Sequence, residues 1–154
     1  MRLQTAAQVV GLARRLARQS AEFYAGLAET DVDHRDQFQA YSCQDSRSTK
    51  QIEQAYRYVV SDALETGFSF DLEADDYTLQ LALGRAAGLA AQIGQAKKVE
   101  EMIIRFFRDA ASQSESLMAD IPQLFRTLAS KRIRRLNDLA ELESLVGGSQ
   151  TGNT

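Results

Sequence analysis

The chain lacks most of the residues from which small proteins build covalent or metal chemistry: it has a single cysteine, Cys43, a single histidine, His34, and a single proline, Pro122. One cysteine excludes an intrachain disulfide and any cysteine-rich zinc or iron–sulfur module. Standing alone in a helical setting, Cys43 reads as an inert thiol. A spaced His/Cys ligand set, a glycine-rich phosphate loop and a nucleophile–base arrangement are all missing. No apolar run reaches the roughly 18 residues of a membrane span. Arg14 and Arg15 interrupt the first apolar pattern, which removes the apolar stretch of a secretory signal. Glu22 and the pattern running on through Leu27 make that segment the first helix of the fold, not a transit peptide. There is no excess of positive charge either: 21 acids against 18 bases leave a net charge of −3, which gives no general attraction to nucleic acid or anionic lipid. A cytoplasmic protein with no nucleic-acid or membrane partner is the expectation.

The composition that remains is that of an ordinary globular chain, 44% hydrophobic and 25% charged over 154 residues. By length this is one domain, able to bury roughly two-thirds of its unfolded surface. With one proline and no long alternation of apolar and polar residues, the fold class is all-α. A first helix is expected over about 4–29, with Val9, Ala13, Leu16, Ser20, Phe23 and Leu27 on one side. After a short turn in which Asp31 is placed to cap, a second helix is expected over about 32–66, through Phe38, Tyr41, Ile52, Tyr56, Val59 and Ala63, with Gly67 as its stop. Residues 65–77 read as a crossover connection, and a third helix is expected over about 78–115. Gly84, Gly88 and Gly94 weaken its first half or admit a close neighbour. Asp120 is placed to cap the fourth helix, with Pro122 in its first turn, where the missing N–H costs nothing. The domain is expected to span 1–146, with 147–154 a disordered polar tail.

Two helix pairs with short internal turns and a longer crossover describe a known four-helix-bundle topology. The pairs also repeat one another. "AEFYAGLAE" in the first helix is echoed by "IIRFFRDAA" in the third, and "QFQAYSCQDSRS" in the second by "LFRTLASKRIRR" in the fourth, both about 80 residues further along.

Ionisable residues fall on the faces that should be apolar. On a wheel of 100° per residue, Arg132 and Arg135 lie about 40° and about 20° from Leu128, inside the arc that continues through Leu139, Leu142 and Val146. Lys131 sits at the edge of that arc and Arg134 points away. Ser42, Asp45 and Thr49 fall in the arc of Phe38, Ile52 and Tyr56. Glu100 shares the Ala96–Ile103–Phe107 face, whereas Glu101 points out. At this level the first helix offers only Ala13, Ala17 and Ser20. Asp45, Glu100, Arg132 and Arg135 are thus aimed at one level of the bundle. Burying any one of them alone would cost several kcal/mol. Together two acids and two bases neutralise each other, and guanidinium forks suit carboxylates. Ser42, Ser48 and Thr49 are candidates for supporting hydrogen bonds. The competing expectation is that the arginines snorkel to water at the helix edges.

In these features the chain resembles the rubrerythrin-like branch of the ferritin-like superfamily. That family builds its bundle from two αα-hairpins, each with a Glu ahead of a Phe-Tyr pair on its first helix and Phe-x-x-Leu-Ala-x-x-Glu-x-x-His on its second; together they hold two irons. Phe23-Tyr24 matches the first pair, with Ala17 at the Glu position. Phe38 opens the second motif, with Asp45 at the Glu position and Ser48 at the His position. Phe106-Phe107 matches the third, and Glu100 keeps the Glu. Phe125, Leu128 and Ala129 match the fourth, whose Glu and His positions hold Arg132 and Arg135. The resemblance covers about residues 5–145. It implies a bundle that has lost its di-iron site, with the two arginines as counter-charges where metals would sit. Asp45 and Glu100 are the only surviving candidates for a metal.

The implied function is non-enzymatic, as a structural or partner-binding protein or a homodimer, with no cofactor. The alternative is an iron- or manganese-binding oxidase or peroxidase using shifted ligands, for which Glu22 and Glu53 are the available carboxylates. Three further signals carry less. His34 beside Asp31 and Asp33 reads as a solvated first turn whose acids favour the helix dipole. "KRIRR" is not a nucleic-acid patch, since two of its arginines face inward. Tyr41 and Tyr56 lie near the vacated site and read as core packing.

Overall fold

The computed structural model describes residues 1–61, 70–82, 88–115 and 120–151. Its described residues form four long helices: α1 (Ala6–Thr30), α2 (Arg35–Ser61), α3 (Leu89–Gln113) and α4 (Asp120–Thr151). A two-residue antiparallel ladder joins β1 (Arg2–Leu3) to β2 (Leu72–Glu73), and a 3-10 turn follows at Ala74–Tyr77.

Each helix forms where apolar side chains recur every three or four positions. In α1 the inward stripe is Val9, Leu12, Ala13, Leu16, Ser20, Phe23, Tyr24 and Leu27. The helix starts at Thr5 with a capping box: the Thr5 hydroxyl accepts the Gln8 N–H and Gln8 Oε1 accepts the Thr5 N–H, each at 3.2 Å. The start of α2 is organised by Asp31, whose Oδ1 accepts the N–H groups of Asp33 and His34 at 3.1 and 3.3 Å. Pro122 lies buried in the first turn of α4.

Helix directions follow from contacts at the two ends. α1 and α2 pack as one hairpin, α3 and α4 as the other. Lys97, early in α3, reaches Glu143, late in α4, at 3.0 Å, so that pair is antiparallel. The Asp71 N–H donates to Gln113 at the end of α3, while Phe70 donates to the Gln4 carbonyl at the start of α1. Gln92, early in α3, reaches Thr30 at the end of α1. α1 and α3 therefore also run antiparallel, and Phe70 and Leu89 lie toward opposite ends of the bundle. Smaller contacts join α1 to α3 and α2 to α4, which places all four helices around one core of residues such as Leu16, Tyr24, Phe38, Ile52, Ile103, Phe107, Phe125 and Leu139.

The sequence repeat has a spatial counterpart. Tyr24 stacks on Phe38 with ring centres 6.2 Å apart at 24°, and Phe107 stacks on Phe125 at 6.0 Å and 26°. In each hairpin the first helix contributes one ring and the second the other.

Four expectations need correction. The third helix begins at Leu89, not near 78; Thr78–Leu81 has no regular secondary structure, and Leu79 and Leu81, partly buried, pack against the core from it. Short apolar runs of that kind do not separate helix from coil by periodicity. A ladder forms where no strand was expected, because two residues are too few to alternate visibly; Arg2–Asp71 and Met1–Glu73 ion pairs of 2.6 Å flank it. The fourth helix continues past Val146 to Thr151, so 147–151 is helical: glycine lowers helix propensity by about 1 kcal/mol but does not forbid continuation at a frayed end. Gly94 admits no close neighbour, since nothing lies within 4 Å of where its Cβ would stand. The expected stop of α2 at Gly67, with Ala63, and the role of Gly84 lie outside the described residues, as does the tail beyond 151.

Because Gly94 sits inside α3 with open space around it, Gly94→Ala should raise stability by about 0.5–1 kcal/mol. Urea denaturation of the two proteins checks this; a loss of stability would mean that another chain segment occupies that space.

Candidate functional site

Asp45 from α2, Glu100 from α3, and Arg132 and Arg135 from α4 meet in the interior at one level. None is more than 5% exposed. Asp45 Oδ1 lies 2.8 Å from Arg132 Nη2 and 2.9 Å from Arg135 Nη1. Glu100 Oε1 lies 3.1 Å from Arg132 Nη1 and 3.2 Å from Arg135 Nη1. Each carboxylate thus bridges both guanidinium groups, and each guanidinium bridges both carboxylates. The four formal charges cancel inside the ring they form. The arginines do not snorkel; Lys131 and Arg134, the neighbours that point outward, are exposed.

The first helix supplies two hydroxyls. Ser20 donates to Asp45 Oδ2 at 2.6 Å and accepts from Arg132 Nη1 at 2.9 Å. Tyr24 donates to Glu100 Oε1 at 2.6 Å. Arg135 extends outward as well, donating to Gln44 Oε1 at 3.0 Å and to the Tyr41 carbonyl at 3.4 Å. Its guanidinium lies over two aromatic faces, 4.7 Å from the Tyr41 ring centre and 5.2 Å from that of Tyr24. The packing is not saturated. Arg132 Nη2 and Asp45 Oδ1 are close as ions but badly angled as a hydrogen bond, and among the described residues Arg135 Nε has no acceptor.

Electrostatics follow from this geometry. Burial disfavours the Arg135 charge, yet Glu100 and Asp45 beside it outweigh burial and hold its pKa above the ordinary arginine value. The Tyr24 phenol is pushed well above its ordinary value, first by burial and then by the charge of Glu100. Burial also raises Tyr41.

The supporting hydroxyls divide differently from expectation. Ser42 donates to the Ala21 carbonyl at 2.8 Å and Thr49 to the Asp45 carbonyl at 3.0 Å, so both serve backbone and not the ionic ring. Ser48 is half-buried and lines a groove beside Arg135. For Thr49 this is the local bond of a mid-helix hydroxyl to the carbonyl one turn back, whereas Ser42 reaches across to a carbonyl of α1. On the helical wheel Ser20 is only a small residue, and nothing there marks Tyr24 or Gln44 as a partner of the ring. For Tyr24 a signal existed: a buried phenol needs a hydrogen-bond partner, and Tyr24 lies one turn beyond Ser20 on the same stripe.

Outside the ring, Glu22 is exposed, and Glu53 pairs loosely with Arg14 at 3.7 Å on the surface. Tyr56 packs on the core from its edge. His34 pairs with Asp31 at 2.8 Å. Among the described residues no three His, Cys, Asp or Glu side chains gather in an arrangement that could hold a metal ion. Nor is any of the described helices long and apolar enough to cross a membrane. Comparison of the chain with protein-family models, with curated proteins and with solved structures finds no match.

Arg132→Leu should destabilise the protein by about 3–5 kcal/mol at neutral pH, by stranding a buried carboxylate. Arg132→Leu with Asp45→Asn, which restores neutrality, should recover much of that loss. A harmless single substitution in urea denaturation would mean that the charges are not buried together. A second expectation concerns alkaline pH. The fold holds the Tyr24 proton more tightly than the unfolded chain does, so this contribution is complete below pH 10 and is lost as pH rises beyond it. Stability should therefore fall more steeply above pH 10 in the parent than in Tyr24→Phe; equal slopes would show that Tyr24 titrates normally.

Proposed function

We propose that this chain is a ferritin-like bundle of the rubrerythrin-like type in which a guanidinium–carboxylate ring has replaced a pair of metal ions. In this reading it has no redox chemistry of its own and acts as a structural or partner-binding protein. One observation carries the proposal: two carboxylates on different helices each bridge the same two cations at 2.8–3.2 Å, and those cations are side chains of α4. Bridging carboxylates are what a dinuclear site requires, and two fixed positive groups already meet that requirement.

The donor set does not fit a metal pair. Every carboxylate at this level is engaged by arginine, Ala17 offers no ligand, and a divalent ion would have to enter against two guanidinium charges. The paired aromatic stacks of the two hairpins support descent from a repeated hairpin, since equivalent rings flank the ionic level on both sides. The surface is then what remains to act, toward a protein partner or a second copy of the chain.

The test is to rebuild the site. A variant carrying Ala17→Glu, Asp45→Glu, Ser48→His, Arg132→Glu and Arg135→His, with Glu100 kept, should bind two cobalt(II) ions per chain, and the parent none. Metal content after gel filtration and cobalt absorption provide the readout. Two equivalents of iron or manganese held inside the parent bundle would overturn the proposal. So would a folded rebuilt variant that binds no metal.

A further inference from the structure

The ionic ring stops at a groove between α2 and α4. The groove encloses about 440 Å³, within the size range of small-molecule sites, and Arg132 and Arg135 form its inner side. Arg47 comes from α2, and Lys131 and Arg134 come from α4. All three are exposed, and among the described residues none has an acidic side chain within ion-pair distance. The one acid on the lining is Asp138. Since the buried arginines are already neutralised by Asp45 and Glu100, the groove keeps a positive surplus on a chain whose net charge is −3. A local charge opposite in sign to the whole, concentrated in a concave site, raises the local concentration of a counter-ion.

From these features we infer that the α2–α4 groove binds a small molecule carrying a phosphate or diphosphate group. Planar guanidinium forks on both walls suit tetrahedral oxyanions in a two-point contact, and Lys131 adds a mobile point charge. A phosphate monoester brings close to two negative charges near neutral pH, which matches three free cations against one acid better than a single carboxylate does. The neutral donors Gln44 and Ser48 on the same lining suit the uncharged part of such a ligand. The inference concerns the surface beside the ring and holds whether or not the ring descends from a metal site.

Inorganic pyrophosphate is the direct probe, titrated into the full chain by calorimetry and followed by backbone NMR. Saturable binding with a Kd below about 1 mM is expected, with shifts confined to the groove-facing turns of α2 and α4. Arg47→Gln and Arg134→Gln, both at exposed positions, should each weaken it by about tenfold or more. Arg15→Gln, exposed on α1 away from the groove, should not. Absence of saturable binding would overturn the inference. So would equal weakening by Arg15→Gln, which marks a bulk-charge effect, or tighter binding of a short single-stranded oligonucleotide, which marks a nucleic-acid surface.

Discussion

The mutual neutralisation of two guanidinium groups and two carboxylates is the constraint around which this bundle is arranged. An isolated charge taken from water into a protein interior costs several kcal/mol even after relaxation. No one of Asp45, Glu100, Arg132 or Arg135 is tolerable alone at 5% exposure or less. Their positions are therefore interdependent: α2, α3 and α4 must keep register to within about an ångström for every oxygen to keep its nitrogen. α1 enters the same arrangement through Ser20 and Tyr24, whose hydroxyls donate to Asp45 Oδ2 and Glu100 Oε1. An all-apolar core would hold four helices together as firmly. A ring of charges tells them where to stop sliding.

Repetition explains how such a ring could be assembled on a plain scaffold. Each hairpin brings one stacked aromatic pair, Tyr24–Phe38 or Phe107–Phe125, and the ionic level lies beside both. The hairpins differ in opposite senses. The second helix of one carries the acid Asp45, whereas the second helix of the other carries the bases Arg132 and Arg135. Two copies of a site that each supplied acid would repel without a cation between them, and α4 supplies the cations covalently. Such a site has no empty coordination position and no exchangeable ion, which is why the proposed role moves from interior chemistry to surface binding.

Much of this was legible in the sequence, and what was not has physical reasons. The arcs of Leu128–Leu139 and Ala96–Phe107 were strong enough that two arginines and a glutamate falling inside them could be assigned inward from spacing alone. Partnerships across helices were not legible. Whether Tyr24 reaches Glu100, or Gln44 reaches Arg135, depends on rotamers and on interhelical distance, neither of which a wheel contains. Ser42 and Thr49 show the reverse failure: the right arc, but hydroxyls already claimed by carbonyls of the backbone. The start of α3 is not legible because Leu79 and Leu81 pack against the core from irregular backbone, through contacts that leave no local period.

The distinction between buried and solvated arginines can be read from the protons of their guanidinium groups. Arginine side-chain NMR at neutral pH reports how fast those protons exchange with water, with exposed Arg134 as an internal standard. Slow exchange and separately resolved Nη signals for Arg132 and Arg135, against averaged and rapidly exchanging ones for Arg134, are expected if the ring is closed. Rapid exchange at all three would contradict it.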